Sequence, residues 1–271
     1  MLKLLYAFSI SQKRHITENA KDGRLAMNIP SEILKQSMAS VFEIELPHLE
    51  DNFIDAKFST GYDGFLYPQA VFIPAKEMLS HAKGLLSMKT KYGENMPFDA
   101  SLLDIIEKAQ AWKLSKVPEL AENIAESLEK IMGGIVELKK DGSFWMKKSN
   151  GSAVPFSMEA DGLKRLGLLW QLLMNEGISR GTVVLWDEPE ASINPENIPL
   201  LVDVMLRLQR QGVQIIAATH SYNFARYFDI LREADDAVQF YSFYKSKEGF
   251  TYFSQSDVFT DLIPNLIDDA G

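Results

Sequence analysis

The pattern of residues 182–231 constrains the fold of this 271-residue chain more than any other. An apolar run, TVVLW, precedes a stretch with helical spacing over residues 195–212. A second apolar run, VQIIAAT, precedes another helical stretch, HSYNFARYFDILRE. Strands and helices that alternate at this spacing predict a βαβ unit, whose two strands lie parallel in one sheet. The sequence therefore predicts an α/β fold.

The rest of the chain predicts two further parts around this unit. Short strand-like runs such as VFEIEL and QAVFIP occupy residues 24–74, and helical spacing dominates residues 75–132. Within that part, a first helical stretch covers residues 75–93, Asp99 is predicted to cap the next helix, and Pro118 is predicted in the first turn of the helix after it. A hairpin is predicted over residues 134–148, followed by a helix that starts near residue 158, and a second hairpin closes the sequence. We therefore divide the chain into three parts: an N-terminal core segment with a β subdomain (1–74), a helical lobe with its hairpin and following helix (75–180), and a C-terminal core segment (181–271).

Composition and charge exclude several classes of function. The net charge of −9 argues against a chain-wide electrostatic grip on nucleic acid or on an anionic membrane, although a local basic groove is compatible with it. The chain has no cysteine, so disulfides and thiolate metal sites are excluded. No apolar run is long enough to cross a bilayer. We expect a cytoplasmic protein with no membrane partner.

Two adjacent acids end the first strand of the βαβ unit, and a histidine ends the second. Asp187 and Glu188 directly follow TVVLW, and His220 directly follows Thr219. Ligands of parallel sheets bind at the carboxyl ends of the strands, so neighbouring strands would bring these side chains to one rim. Such a set suits Mg²⁺-dependent phosphoryl transfer. Taken singly, each residue is explained as well by a polar strand end or a structural histidine, and only the combination favours chemistry.

These motifs resemble those of a known family. VVLWDEPE is similar to the Walker B strand of ABC-type ATPases, ASINP to their D-loop, and ATHS to their switch-histidine loop. The resemblance covers most of the chain and is strongest over residues 158–228. It points to bacterial stand-alone AAA family ATPases, which group with SMC, Rad50, RecF and OLD-like proteins. It implies a P-loop NTPase (ABC-ATPase-like) core with a mostly parallel sheet, an antiparallel β subdomain and a helical lobe.

The resemblance also implies cofactors and roles for the strand-end residues. ATP and Mg²⁺ are the expected cofactors. Asp187 would hold Mg²⁺ through water, Glu188 would orient or polarise the attacking water, and His220 would sense the γ-phosphate.

The segment EADGLKRLG is similar to the signature motif, in which a Ser-Gly-Gly sequence opens a helix and contacts the γ-phosphate held by the other subunit. Ala160, Asp161 and Gly162 stand at those three positions, so only the second glycine is kept. Asp161 is predicted as the N-cap of the helix, and its charge would oppose phosphate. Lys164 and Arg165 could offset that charge.

Ser192 and Asn194 match the D-loop, which lies at the dimer interface in the family. A plain βα loop is the simpler interpretation, in which Asn194 caps a helix with Pro195 in its first turn. The two interpretations are compatible.

The sequence contains no G-x-x-x-x-G-K-[ST] motif, the P-loop that an ATPase of this kind needs. The nearest approach, residues 142–149, lies in the predicted hairpin and has a lysine at the position of the second glycine. The first residues, MLKLLYAFS, resemble the helix that follows the P-loop in the family, so we expect the chain to start just after that loop, through truncation or decay. We expect this chain alone to bind ATP weakly or not at all, and not to hydrolyse it.

Three functions from different classes remain. The first is an ABC-type ATPase domain that forms a homodimer around ATP and switches a partner in DNA maintenance or phage defence, with DNA or a nuclease as a possible partner by analogy. The second is a nucleotide-free scaffold or regulatory pseudo-ATPase, favoured by the missing P-loop and disfavoured by the retained Asp187, Glu188 and His220. The third is a Mg²⁺-dependent nuclease, disfavoured because no second acidic pair follows a predicted strand.

Overall fold

The computed structural model describes residues 69–93, 96, 98–112, 114–245 and 251–262. The helix expected at the N-terminus and the strands expected before residue 69 lie outside the described residues. The described strands and helices are, in chain order, β1 (Ala70–Ile73), α1 (Leu85–Tyr92), α2 (Ala100–Ala109), α3 (Glu119–Met132), β2 (Gly134–Leu138), β3 (Phe144–Lys148), β4 (Ala153–Pro155), α4 (Asp161–Met174), β5 (Val183–Asp187), α5 (Ile198–Arg210), β6 (Gln214–Ala218), α6 (Tyr222–Leu231), β7 (Phe240–Lys245) and β8 (Thr251–Ser256).

A parallel sheet with the order β1-β5-β6 forms the centre of the described structure. Ile73 on β1 lies opposite Trp186 on β5, and Asp187 lies opposite Ala218 on β6. The predicted α/β class and the predicted parallel pairing are confirmed. Because β5 is the middle strand, the two acids that end it lie at the centre of the carboxyl rim.

Alternation along β1 and β5 buries both faces of these two strands, whereas the residues of β6 are partly or fully exposed. Val71, Ile73, Val184 and Trp186 belong to the main hydrophobic core, together with the apolar faces of α4 and α5. The residues between them, such as Leu185, point to the opposite face and are also buried. Burial of β1 and β5 on both faces explains why these strands read as continuous apolar runs in the sequence.

Helix α4 connects the helical part of the chain to the sheet. Leu166, Leu169, Leu172 and Leu173 are almost completely buried, and each contributes about 1.5–3 kcal/mol through removal from water. Polar groups at the helix end add specific contacts, since the Gln171 side-chain amide donates to the Ala109 carbonyl at 2.9 Å. The C-terminal half of α4 is therefore fixed against the end of α2.

Local signals predicted some helix ends correctly and misplaced others. The Asp99 side chain accepts hydrogen bonds from the Ser101 and Leu102 amides and caps α2 as predicted. The helical stretch expected over residues 75–93 is interrupted, because Gly84 has φ +72° and separates a short 3₁₀ turn from α1. Pro118 occupies the N-cap position of α3. It therefore lies one position before the first turn in which it was predicted.

The antiparallel parts also agree with the sequence. Strands β2, β3 and β4 form one sheet, and β7 pairs with β8 in the closing hairpin. The short third strand, β4, was not predicted because its three residues include a proline. None of the described helices is long and apolar enough to span a membrane. The predicted domain boundaries stay predictions.

Candidate functional site

The carboxyl rim of the parallel sheet brings Glu188 next to the segment that carries His220. The Glu188 amide donates to the Ala218 carbonyl at 2.8 Å and so continues the β5–β6 pairing one residue beyond the strands. The side chains of Asp187, Glu188 and His220 therefore leave adjacent strand ends. The structure places these residues together, while their chemical roles stay predictions.

Glu188 and His220 are in direct contact. The Nδ1 atom of His220 lies 2.8 Å from Oε1 of Glu188. The imidazole side chain is 79% exposed, whereas the carboxylate is only partly exposed. Because an ionised carboxylate can only accept, we expect Nδ1 to carry a proton in this contact, which leaves Nε2 on the other edge of the ring.

The backbone of Glu188 has an unusual conformation, with φ +47°. A left-handed conformation costs a non-glycine residue about 1–2 kcal/mol. Several bonds hold it there. The Glu188 carbonyl accepts from the Ala191 amide at 3.1 Å and from the Arg165 guanidinium at 3.3 Å. The chain turns sharply after the strand, and this turn directs the carboxylate towards His220.

Arg165 connects α4 to this turn. Its guanidinium is buried and also donates to the Ala75 carbonyl, in the segment that follows β1. Burial lowers the pKa of Arg165 from its usual value, and the charges of Asp161 and Glu188 oppose that shift. We expected Arg165 only to offset the charge of Asp161. The structure adds a contact with the backbone of Glu188.

A second buried acid, Glu190, was missed by the sequence analysis. Its side chain accepts a hydrogen bond from the hydroxyl of Thr219, the residue before His220. The Glu190 residue is 9% exposed, and its Oε2 atom has no hydrogen-bond partner. The available signal was the third acid of DEPE, to which the sequence analysis gave no role.

Asp187 is the candidate ligand for a divalent cation. Its side chain is partly exposed, and it makes no hydrogen bond or ion pair with another described residue. Within the described ranges, no group of three or more His, Asp or Glu side chains is placed to hold a metal ion. A single carboxylate completed by waters and phosphate oxygens is a common Mg²⁺ environment, so Asp187 fits a Mg²⁺ ion that arrives with a nucleotide.

The start of α4 differs from its predicted form in one respect. The helix begins at Asp161, and Ala160 occupies the N-cap position, so the prediction of Asp161 as N-cap was wrong. The Asp161 side chain is 60% exposed and forms an ion pair with Lys164 at 2.9 Å. The ammonium group of Lys164 is therefore engaged within the chain and offsets the charge of Asp161.

Gly162 lies against the loop that contains Ser192. A Cβ atom at Gly162 would lie 2.4 Å from the Ser192 carbonyl oxygen and 3.0 Å from the Cα of Ile193. Ser192 itself has φ +61°. Asn194 caps the turn that leads into α5 by accepting from the Glu196 amide at 3.1 Å, as its simpler interpretation predicted. The signature-like helix and the D-loop-like segment are thus in contact within one chain.

Comparison with known proteins gives one family for most of the chain. The family described as "AAA domain, putative AbiEii toxin, Type IV TA system" matches residues 51–226. The glutamine transport ATP-binding protein GlnQ of Geobacillus stearothermophilus is 27% identical over 94 residues, which cover 33% of this chain and 37% of that protein. The chain thus spans little more than a third of the length of this curated relative.

Solved structures with local likeness include SMC proteins. One is described as "Structural biochemistry of ATP-driven dimerization and DNA stimulated activation of SMC ATPases" and is 14% identical in sequence. The match covers 56% of this chain and 91% of that chain, with a TM-score of 0.41. An Smc head domain with a coiled coil and joint from Pyrococcus yayanosii is 15% identical in sequence. The match covers 56% of this chain and 29% of that chain, with a TM-score of 0.42.

Proposed function

The chain belongs to the AAA domain family that matches residues 51–226, and on this premise we propose that it supplies the Mg²⁺ and water side of an ATP site in an ABC-type ATPase. The observation that carries the proposal is the contact of 2.8 Å between Glu188 and His220 at the ends of adjacent parallel strands. The partly exposed Asp187 precedes that pair at the same rim. This is where ligands of open parallel sheets bind.

Each residue has a distinct role in the proposal. Asp187 holds Mg²⁺ through water, and the bound ion neutralises charge on the phosphate oxygens. Glu188 accepts a proton from the attacking water, for which its Oε2 atom is suited because Oε1 is engaged by His220. His220 uses the exposed edge of its ring to contact the γ-phosphate.

The other predicted binding residues lie beside this rim. Gly162 at the start of α4, together with Ser192 and Asn194 on the adjoining loop, would face the second subunit of a homodimer. Asp161 and Lys164 form an ion pair beside them. We propose that the intact protein dimerises around ATP through this surface. The proposal rests on the family resemblance and on the contact between the start of α4 and the loop that contains Ser192.

The process served by the ATPase is a further proposal. The family description names a toxin–antitoxin system, which supports phage defence over DNA maintenance. A DNA or nuclease partner rests on analogy with the family alone.

A manganese titration tests the metal side of the proposal. Mn²⁺ shortens the relaxation of nearby nuclei even when it is held weakly and briefly. Added without nucleotide to ¹⁵N-labelled protein, it should therefore broaden the amide signals of Asp187, Glu188 and Thr219 first. Asp187→Asn should abolish this broadening. Asp235→Asn, which removes one exposed charge elsewhere, should not. Broadening that persists in Asp187→Asn, or that centres on another region, would contradict the assignment.

A hydrolysis assay tests the expectation for this chain alone. The 271 residues contain no G-x-x-x-x-G-K-[ST] motif, so triphosphate lacks the amides and the lysine that hold it in P-loop enzymes. We expect no ATP turnover above background and only weak binding. Turnover that disappears in Glu188→Gln would show that the chain has a complete site.

One observation favours the second candidate, a regulatory pseudo-ATPase. Asp161 places an exposed carboxylate in the first turn of α4, where phosphate would approach in the resemblance. A titration with Mg·ADP tests the first candidate. Shifts at His220 and Thr219 would support the ATPase side, whereas an unchanged spectrum agrees with either candidate, because this chain alone lacks a P-loop.

A further inference from the structure

We propose that Glu190 is a positioning residue for His220 and acts through the hydroxyl of Thr219. The inference deepens the proposed function, on which its catalytic meaning rests. The positioning itself requires no bound nucleotide, because the buried carboxylate of Glu190 determines where the exposed imidazole of His220 lies.

The hydrogen bonds around Thr219 have a defined direction. A carboxylate only accepts, so the single hydroxyl proton of Thr219 goes to Oε1 of Glu190. The lone pairs of the same hydroxyl oxygen then accept from the Ser221 amide at 2.9 Å. Glu190 therefore orients a hydroxyl that in turn holds the backbone two residues further on.

His220 lies between Thr219 and Ser221, the two residues that these hydrogen bonds hold. Thr219 is attached to Glu190, and the Ser221 side chain caps α6 by accepting from the Phe224 amide at 3.3 Å. The His220 side chain is 79% exposed, and Glu188 is its one partner among the described residues. Packing contributes little to its position, so the backbone on either side must determine it.

The environment of Glu190 indicates a role other than stability. A buried carboxylate loses its hydration, and this one has an oxygen without a hydrogen-bond partner. An apolar side chain at such a position commonly stabilises a fold at least as well. The positive charge of Arg165 lies near this carboxylate and offsets part of the cost. The Arg165 guanidinium donates to the Glu188 and Ala75 carbonyls and not to Glu190. The remaining cost is explained if the carboxylate is retained for the contact with Thr219.

The tautomer of His220 gives a direct readout of its position. Nδ1 lies 2.8 Å from Oε1 of Glu188, and because a carboxylate can only accept, we expect the neutral ring to carry its proton on Nδ1. A free imidazole prefers the proton on Nε2. The ¹⁵N shifts of the two ring nitrogens distinguish these forms, and global stability does not determine them.

The experiment compares four variants of the full chain without nucleotide or metal, at a pH where the imidazoles are neutral. His220 is identified among the chain's 4 histidines by the signal that His220→Gln removes. Thr219→Val and Glu190→Leu remove the link, and the major tautomer of His220 should change from Nδ1–H to Nε2–H. Thr219→Ser and Glu190→Gln keep a hydroxyl donor and an oxygen acceptor, and they should retain the wild-type tautomer.

Each outcome decides the proposal. Wild-type ring shifts in folded Thr219→Val would overturn it, as would loss of the Nδ1–H form in Thr219→Ser. Loss in Glu190→Gln with retention in Thr219→Val would mean that charge, and not the hydroxyl, acts on His220, which also overturns it. If Glu190→Leu fails to fold, the two threonine variants still decide. Because no nucleotide or metal is present, failure here is distinct from failure of the manganese titration.

Discussion

At the scale of single residues, Glu188 has two separable properties, its carboxylate and its backbone conformation. The carboxylate contacts His220, while the backbone has φ +47° and is held by Arg165, Ala191 and Ala218. The backbone conformation is set by the turn after β5, so it should persist when the side chain is shortened. The chain therefore keeps a strained residue here for its side chain.

Replacing Glu188 by glycine or by alanine tests this strain. Both changes remove the carboxylate, but alanine retains the penalty of the left-handed conformation and glycine does not. We expect Glu188→Gly to be more stable than Glu188→Ala by about 1 kcal/mol, as measured by urea unfolding. Equal stability of the two variants would mean that the turn relaxes when the side chain is lost.

The sequence predicted those site residues that stand at strand ends. Asp187, Glu188 and His220 follow apolar runs directly, and parallel pairing is a strong rule, so their proximity could be inferred. Arg165 could not be placed in this way, because its bond to the Ala75 carbonyl joins residues 90 positions apart in the chain. Glu190 was hidden because only the structure shows that its side chain points inward.

At the scale of elements, the start of α4 and the loop before α5 act as a pair. Gly162 permits their close approach, since a Cβ atom there would overlap the Ser192 carbonyl. Backbone atoms on both sides cannot move aside as a flexible side chain can. The glycine is thus required by packing within one chain, whatever it contributes to phosphate binding.

The substitution Gly162→Ala should therefore destabilise the protein. In an unobstructed helix, alanine in place of glycine gains about 1 kcal/mol. Overlap with the loop should reverse the sign and give a net loss of about 2 kcal/mol in the free energy of unfolding. Thermal and urea unfolding measure the change. A stabilised Gly162→Ala protein would show that the loop yields and that the glycine has no packing role.

Helix starts marked by a capping side chain were predicted well. A helix interruption that depends on the φ angle of one residue was not. Asp99 caps α2, and Asn194 caps the 3₁₀ turn that leads into α5. Both were expected, because a side chain that bonds to an amide two or three residues ahead needs no distant partner. Gly84 gave no such signal. Helical spacing continues on both sides of it, and only its positive φ shows that the helix is interrupted.

At the scale of the whole molecule, an ion pair attaches the C-terminal region to the α/β core. The guanidinium of Arg210, at the end of α5, donates to both carboxylate oxygens of Asp236 at 2.6 Å. Asp236 precedes β7, and its side chain is 2% exposed. The Arg210 bond holds the pKa of Asp236 below its ordinary value of 3.8, and burial opposes that shift.

This lowered pKa predicts a pH dependence of stability. A carboxyl whose folded pKa is depressed stabilises the fold above its unfolded pKa and loses that contribution as the pH falls through the folded pKa. Asp236→Asn should lower the free energy of unfolding by about 1 kcal/mol at neutral pH. The difference from wild type should shrink below about pH 4. Asp235→Asn is the matched control, and a similar loss in that variant would exclude the ion pair as the cause.

The family could be identified from the sequence because its motifs stand at positions that the fold brings together. The prediction of an ABC-type AAA family ATPase is confirmed by the family that matches residues 51–226 and by the local match to an ATP-binding protein. The expectation that the chain starts after a P-loop concerns residues outside the described ranges.

The close approach of Gly162 to Ser192 has a consequence for how such chains diverge. A descendant that stopped using nucleotide would still need glycine at this position, because the fold requires it. His220 has no comparable constraint, since its side chain is 79% exposed. A relative that has replaced the residue matching His220 but kept the glycine matching Gly162 would therefore belong to a lineage that no longer hydrolyses nucleotide. The glycine alone would record only shared ancestry.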